Sequence, residues 1–225
     1  MPEQQDKIAA ARESLLAEIA DEIRETSGYL GKDALDPRVI AAIRKVPREE
    51  FVPAPARDLA YLNRPLSIGH GQTISQPYIV AVMTDLLSLT PDARVLEIGT
   101  GCGYQTAILA ELAARVHTVE VVAPLADAAR ERLGRLGYAN VEFRTGDGRA
   151  GWPEDAPYGA IIVTAAARDY PEALVEQLAP GGRMVVPIGR AGFTQLLTLV
   201  EKDEDGRASR SGRLPVAFVP LVEGR

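Results

Sequence analysis

The sequence predicts an α/β fold: a mostly parallel, doubly wound sheet, with extra helices ahead of it and an antiparallel hairpin behind it. Two observations predict this. From Thr90 onward, short apolar runs (RVLEIG, RVHTVE, NVEFRTG, YGAIIVTAA, GRMVVPIG) alternate with helix-periodic stretches (TAILAELAA, APLADAARERLGRL, PEALVEQLA), and such alternation is that of parallel βαβ units. The final segment, QLLTLVEKDEDGRASRSGRLPVAFVPL, breaks the alternation: two apolar runs flank a polar turn containing Asp205-Gly206, the pattern of two antiparallel strands at a sheet edge.

The elements ahead of the sheet follow in chain order. Ile8, Leu15, Leu16, Ile19 and Ile23 recur at helical spacing from Gln4 to about Thr26, and Gly28 ends the run. Asp36-Pro37 suits the cap and first position of a second helix through VIAAIRKV, closed by Pro47. FVPAPARDLAYLNRPLSIG, punctuated by Pro53, Pro55 and Pro65, reads as ordered but irregular chain wrapping a surface. In GHGQTISQPYIVAVM, Pro77 opens an apolar helix, and Ser75 is placed to accept from its free first-turn amides. The whole reads as one domain, 1–225, with a helical, site-covering region at 1–89, a ligand-binding βαβ core at 90–190 and a terminal hairpin at 191–225.

Composition excludes several function classes. At 225 residues, 46% of them hydrophobic, the chain buries a real core within one domain's size. The lone Cys102 rules out an internal disulfide framework, and no apolar run approaches a membrane span. The charged N-terminus does not look like a signal peptide, so a cytoplasmic protein is expected. A formal net charge of −6 argues against a nucleic-acid partner. His70 and His117 are isolated in sequence and read as structural or exposed, so no metal is expected.

The chemistry starts at LEIGTGCGY. Glu97, Gly99, Gly101 and Gly103 form E-x-G-x-G-x-G between a strand and a helix, where glycines permit a sharp turn and a ligand's close approach. Glu120 ends the next strand, where a carboxylate accepts from ribose hydroxyls. A dinucleotide fingerprint would need a third glycine three positions after the second, and Tyr104 stands there. Asp147-Gly148 ends the third strand, where a carboxylate can accept from an adenine amino group beside a residue that leaves room for the ring. The ligand reads as an adenosine without a pyrophosphate.

These motifs, with LAPGGRMVVPIG as a helix-to-strand turn, closely resemble the Rossmann-like S-adenosylmethionine-dependent methyltransferases. Within that class VPREEFVP, GQTISQPY, IIVTAAA and FVPLV resemble the protein-L-isoaspartate (D-aspartate) O-methyltransferase family, over about Asp36 to Val222. The resemblance implies methyl transfer from S-adenosylmethionine, leaving S-adenosylhomocysteine, to the free carboxylate of L-isoaspartyl or D-aspartyl residues in damaged polypeptides; the ester then closes to a succinimide. It implies that Gly99 and Gly101, with Glu97, hold the donor's methionine part, Glu120 its ribose, and Asp147 and Gly148 its adenine. Thr73, Ile74 and Ser75 would contact the donor and wall it from the acceptor. Ser75 would donate to the acceptor carboxylate, and Gly69 and Gly71 would let this loop close. Val219, Pro220 and Leu221 would offer a strand edge to the peptide. Two positions depart from the family's pattern: Ala167 replaces a proline and Ala217 a commonly basic residue. A different acceptor, a small molecule or RNA, is the competing reading. A monomer is expected.

Overall fold

The computed structural model describes residues 2–190 and 192–222. Met1, Ala191 and residues 223–225, parts of the predicted outer regions, lie outside the described residues.

The amphipathic N-terminal run is helix α1 (Pro2–Glu25), which buries Leu15, Leu16, Ile19 and Ile23. Gly28 does not end it; it sits inside a short α2 (Ser27–Leu30), and the left-handed cap is Gly31 at φ 74°. Helix α3 (Pro37–Lys45) begins as expected, the Asp36 carboxylate accepting from the Arg38 amide at 2.8 Å. The proline-rich wrap is two 3-10 turns, Arg48–Phe51 and Ala54–Leu59. It then yields an element the sequence reading missed, a hairpin of β1 (Leu66–Gly69) and β2 (Gln72–Ile74). Its turn residues His70 and Gly71 both take positive φ, 52° and 72°, the two-residue geometry that matches strand twist. Gly71 therefore meets a turn requirement. Helix α4 (Pro77–Leu86) follows, buried on nearly all sides.

The sheet core continues with β3 (Arg94–Ile98), α5 (Tyr104–Ala110), β4 (Arg115–Glu120), α6 (Ala123–Arg135), β5 (Val141–Thr145), β6 (Tyr158–Val163), α7 (Glu172–Glu176), β7 (Leu178–Ile188), β8 (Gln195–Lys202) and β9 (Ala208–Val216). Strand order is β5-β4-β3-β6-β7-β8-β9, parallel from β5 to β7 and antiparallel thereafter. The helix expected through 171–179 stops early and LAPGG joins β7, where the pairing slips between Tyr158 and Ala160. A Cβ on Gly182 would lie 2.8 Å from the Ala179 carbonyl, so this irregular strand entry requires glycine there.

Alternation along the strands feeds two cores, one per face. Val95, Val116, Ala160, Ile162 and Val185 join the larger core with α1, α3, α4 and α5. Leu96, Ile98, Ile161, Val163, Met184 and Trp152 form the second. Among the described residues no helix is long and apolar enough to cross a membrane. Because β3 leads out to β4 on one side and β6 neighbours it on the other, the order reverses between β3 and β6. In such sheets that switch point, at the strands' carboxyl ends, is where ligands bind.

Candidate active site

At the switch point β3 runs into Gly99, whose amide donates to the Val119 carbonyl at 2.8 Å. Gly99 has φ 98°, and a Cβ there would sit 2.4 Å from Oγ1 of Thr164, the first residue after β6. The Thr164 hydroxyl in turn donates to the Gly99 carbonyl at 2.6 Å. Glycine is thus required by the neighbouring strand end as well as by any ligand. The sequence reading quoted Thr164 within IIVTAAA but gave it no role.

Glu120 stands where it was expected. Its Oε2 accepts from the Gly101 amide at 2.7 Å and its Oε1 from the Val122 amide at 2.9 Å, so the carboxylate is oriented by backbone on both sides. Each oxygen keeps a further lone-pair site, and Glu120 lines a cavity with Gly99, Gly101, Gly148, Thr73 and Thr164. A carboxylate held in this way matches a pair of ribose hydroxyls.

Two expected donor contacts are placed differently. Glu97 is fully buried beneath the glycine turn, on the face toward α5, and does not line the cavity. Its Oε2 accepts from Thr106 at 2.5 Å and Thr118 at 2.6 Å, while Oε1 has no partner among the described residues. Burial pushes its pKa up to about 8, so it is mostly a neutral acid at pH 7. It supports the turn rather than touching a ligand. Asp147 caps the 3-10 turn Gly148–Ala150 by accepting from the Arg149 amide at 2.9 Å and pairs with the same residue's guanidinium at 2.6 Å. The carboxylate is engaged locally, and only Gly148 lines the cavity. Nor does Gly148 merely leave room for a ring, since a Cβ there would meet Ile98 at 2.4 Å.

The second half of the site is a cleft of about 550 Å³ lined by Thr73, Ser75, Gln76, Tyr78 and the 214–219 segment, with Glu22 of α1 and Thr26 between α1 and α2. Ser75 is no helix cap: Gln76 holds that position, and Pro77 opens α4. Among the described residues the Ser75 hydroxyl makes no hydrogen bond, whereas its carbonyl accepts from Arg48 Nη2 at 2.7 Å. Arg48, the basic residue of VPREEFVP, is fully buried; it also donates to the Ala60 carbonyl at 2.8 Å and lies 4.7 Å over the Tyr104 ring. Tyr104, which excluded the dinucleotide fingerprint, is thus the platform for a buried cation that fixes the Ser75 backbone. Ile74 is buried beneath this segment, while Thr73 lines both cavities.

Glu22 was not anticipated either. Its carboxylate accepts from Asn63 at 2.7 Å and from Gln76 at 3.3 Å, and burial raises its pKa. The Tyr78 hydroxyl is 2.7 Å from that of Thr26. An acid in an ordinary amphipathic helix carries no local signal of such a role.

Val219, Pro220 and Leu221 do not end a hairpin strand, because β9 stops at Val216. Instead Val219 accepts from the Ala166 amide at 2.8 Å and Leu221 donates to the Ala166 carbonyl at 2.9 Å. One edge of the segment is therefore already paired. It lies over both cavities, which share Thr73, Thr164 and Val219 as a common wall. Ala167, where the family pattern has proline, uses the N–H a proline would lack: it donates to the Pro187 carbonyl at 2.9 Å. Ala217 lines the same cleft as Ser75.

Comparison with known proteins agrees with this geometry. The family described as Protein-L-isoaspartate(D-aspartate) O-methyltransferase (PCMT) matches residues 27–225. The chain is 58% identical over 219 residues to Protein-L-isoaspartate O-methyltransferase 2 of Syntrophobacter fumaroxidans, covering 97% of this chain and 89% of that one. It is 57% identical to the protein of the same name from a Polaromonas species, over 94% of this chain and all of the relative. Among solved structures, a protein-L-isoaspartate O-methyltransferase superposes with TM-score 0.80 at 29% identity, over 95% of this chain and 66% of that one. A Plasmodium falciparum structure described as a putative protein-L-isoaspartate O-methyltransferase in complex with S-adenosyl-L-homocysteine gives 0.75 at 26% identity, over 93% and 97%.

Proposed function

The chain belongs to the protein-L-isoaspartate(D-aspartate) O-methyltransferase family, and from that premise we propose how its two cavities divide the labour. The protein transfers a methyl group from S-adenosylmethionine to the free carboxyl of L-isoaspartyl residues in proteins. The single observation that supports the division is the shared wall of Thr73, Thr164 and Val219 between the cavity holding Glu120 and the cleft holding Ser75.

The donor cavity fits an adenosyl group: a glycine turn with no Cβ at Gly99 and Gly101, and a carboxylate whose remaining acceptor sites suit ribose hydroxyls. When bound, S-adenosylmethionine supplies an already activated methyl. An isoaspartyl carboxylate is ionised near neutral pH, so this chain needs no strong base. Its task is to orient. Ser75, with an unengaged hydroxyl on a carbonyl clamped by Arg48, donates to one carboxylate oxygen and leaves the other to face the wall. Thr73 and Thr164 hold the two compartments apart, and Glu120 fixes the donor's ribose. Fixing both partners supplies up to ~7–11 kcal/mol in ideal cases. Gly148 and the Asp147–Arg149 turn border the adenine side, and the unpaired edge of Val219–Leu221 receives peptide backbone. The D-aspartyl side-chain carboxylate is proposed as a second acceptor, the cytoplasm as the working compartment and the monomer as the working state.

The test is methyl transfer from labelled donor to an isoaspartyl peptide beside its normal-aspartyl twin. The twin's carboxylate is displaced by one methylene, so it should be inert. Comparable turnover of the twins, or transfer to RNA or a small amine instead, would overturn the acceptor assignment.

A further inference from the structure

On the smaller-core face of the sheet, three residues far apart in sequence meet. His117 is the third residue of β4, and register sets it beside Glu142 of β5; Asp155 comes from the 3-10 turn Pro153–Asp155 that precedes β6. His117 Nε2 lies 3.9 Å from Glu142 Oε2 and 3.7 Å from Asp155 Oδ2, and one ligand atom from each residue lies within 4.8 Å of the others. These separations are too long for hydrogen bonds. The imidazole is 0% exposed and held edge-on by Trp152 at 5.1 Å and Tyr158 at 5.4 Å, and among the described residues neither ring nitrogen has a hydrogen-bond partner. A buried imidazole without a partner is costly, and here it looks toward two half-exposed carboxylates.

We propose that His117, Glu142 and Asp155 form a binding site for a first-row divalent cation, zinc by preference, that clamps the Trp152–Ala156 segment onto β4 and β5. The donor set selects the cation class, because one imidazole with two carboxylates suits zinc, whereas magnesium and calcium take oxygen ligands alone. A zinc ion about 2.0–2.2 Å from each ligand sets tetrahedral neighbours roughly 3.3 Å apart, so the half-exposed carboxylates move in toward His117 from 3.9 and 3.7 Å and toward each other from within 4.8 Å. Around the site Arg115 holds the other Glu142 oxygen at 3.0 Å and Arg94 donates to the Asp155 carbonyl. Their charges weaken cation binding without occupying the facing oxygens. The site lies three residues before Glu120 on β4 and on the opposite face, away from methyl transfer.

The experiment is a Co²⁺ titration of the chelator-stripped full chain, followed by visible absorption, then displacement with Zn²⁺. One saturable equivalent with ligand-field bands is expected, lost on adding Zn²⁺, together with a Zn²⁺-dependent rise in melting temperature. His117→Gln and Asp155→Asn should each weaken binding at least about tenfold, Cys102→Ser should leave it unchanged, and methyl transfer should persist in all three. Asp155 is half-exposed and its substitution isosteric, so that variant reads the site even where His117→Gln folds poorly. Absence of a saturable band, wild-type binding by Asp155→Asn, or loss of binding in Cys102→Ser would overturn the proposal.

Discussion

The proposed donor and acceptor sides of the active site are held by different means. On the donor side, backbone amides point at the functional group: Glu120 accepts from Gly101 and Val122, and both partners lie at or near the strand ends that form the turn. On the acceptor side, the Ser75 hydroxyl has no partner among the described residues, and its place is set from outside, by Arg48 reaching 27 residues along the chain to its carbonyl. Backbone preorganises one half, and long-range packing the other. Binding should therefore fail locally on the donor side, and turnover should fail remotely on the acceptor side.

The largest expected effect breaks the donor half. Glu120→Ala removes the proposed ribose acceptor and also strips two turn amides of theirs, so donor affinity should fall by about 3 kcal/mol or more, over a hundredfold. Calorimetric titration reads it, and unchanged affinity would remove the distinction between the halves. Next, Ser75→Ala should lower kcat by roughly 2 kcal/mol, near thirtyfold, at saturating donor, the worth of a hydrogen bond to a charged group. Since Ser75 caps no helix here, its melting temperature should not move. A parallel loss of donor affinity would place Ser75 on the donor side instead.

Arg48→Met sharpens the contrast. It keeps volume over Tyr104 but leaves the Ala60 and Ser75 carbonyls without their donor, costing about 1–2 kcal/mol of stability by thermal or urea melts. It should lower kcat and raise the peptide KM while donor affinity stays near wild type. Near pH 5 the smallest effect is at Glu97, whose carboxyl is raised to about 8 in the fold against 4.5 ordinarily. A raised acid binds a proton on folding, so its contribution is fully present below pH 4.5 and is lost as pH rises through about 8. Glu97→Gln mimics the neutral acid. It should differ from wild type by under about 1 kcal/mol at pH 5 and become relatively more stable toward pH 9. A difference between the two melting curves that does not change with pH would show that Glu97 is ionised in the fold.

The same division decides what was legible in the sequence. Strand order in the chain, the glycine turn and Glu120 follow from period-two apolar runs and from spacing, which are local signals. The hairpin at Leu66–Ile74 was hidden because its strands have four and three residues inside a segment rich in proline and glycine. Asp147 has its carboxylate engaged by a partner two residues on, Arg149, a pairing that the motif's spacing does not reveal. Alternation could have placed Glu97, since it shares parity with Val95 of the larger core and not with Ile98. Glu22, Arg48 and Thr164 reach the site through contacts tens of residues long in sequence. The acceptor cleft also takes Glu22 from α1, outside the 27–225 span the family profile matches, which no motif there could announce.

The wall shared by the two cavities has a thermodynamic consequence. Thr73, Thr164 and Val219 border both, so a ligand in one cavity restricts side chains that the other ligand also needs ordered. Where the entropy of that ordering is lost once rather than twice, the pair is expected to bind cooperatively without any change of shape. Cooperativity of this kind is reciprocal: a saturating isoaspartyl peptide should tighten S-adenosylhomocysteine by the same factor by which S-adenosylhomocysteine tightens the peptide.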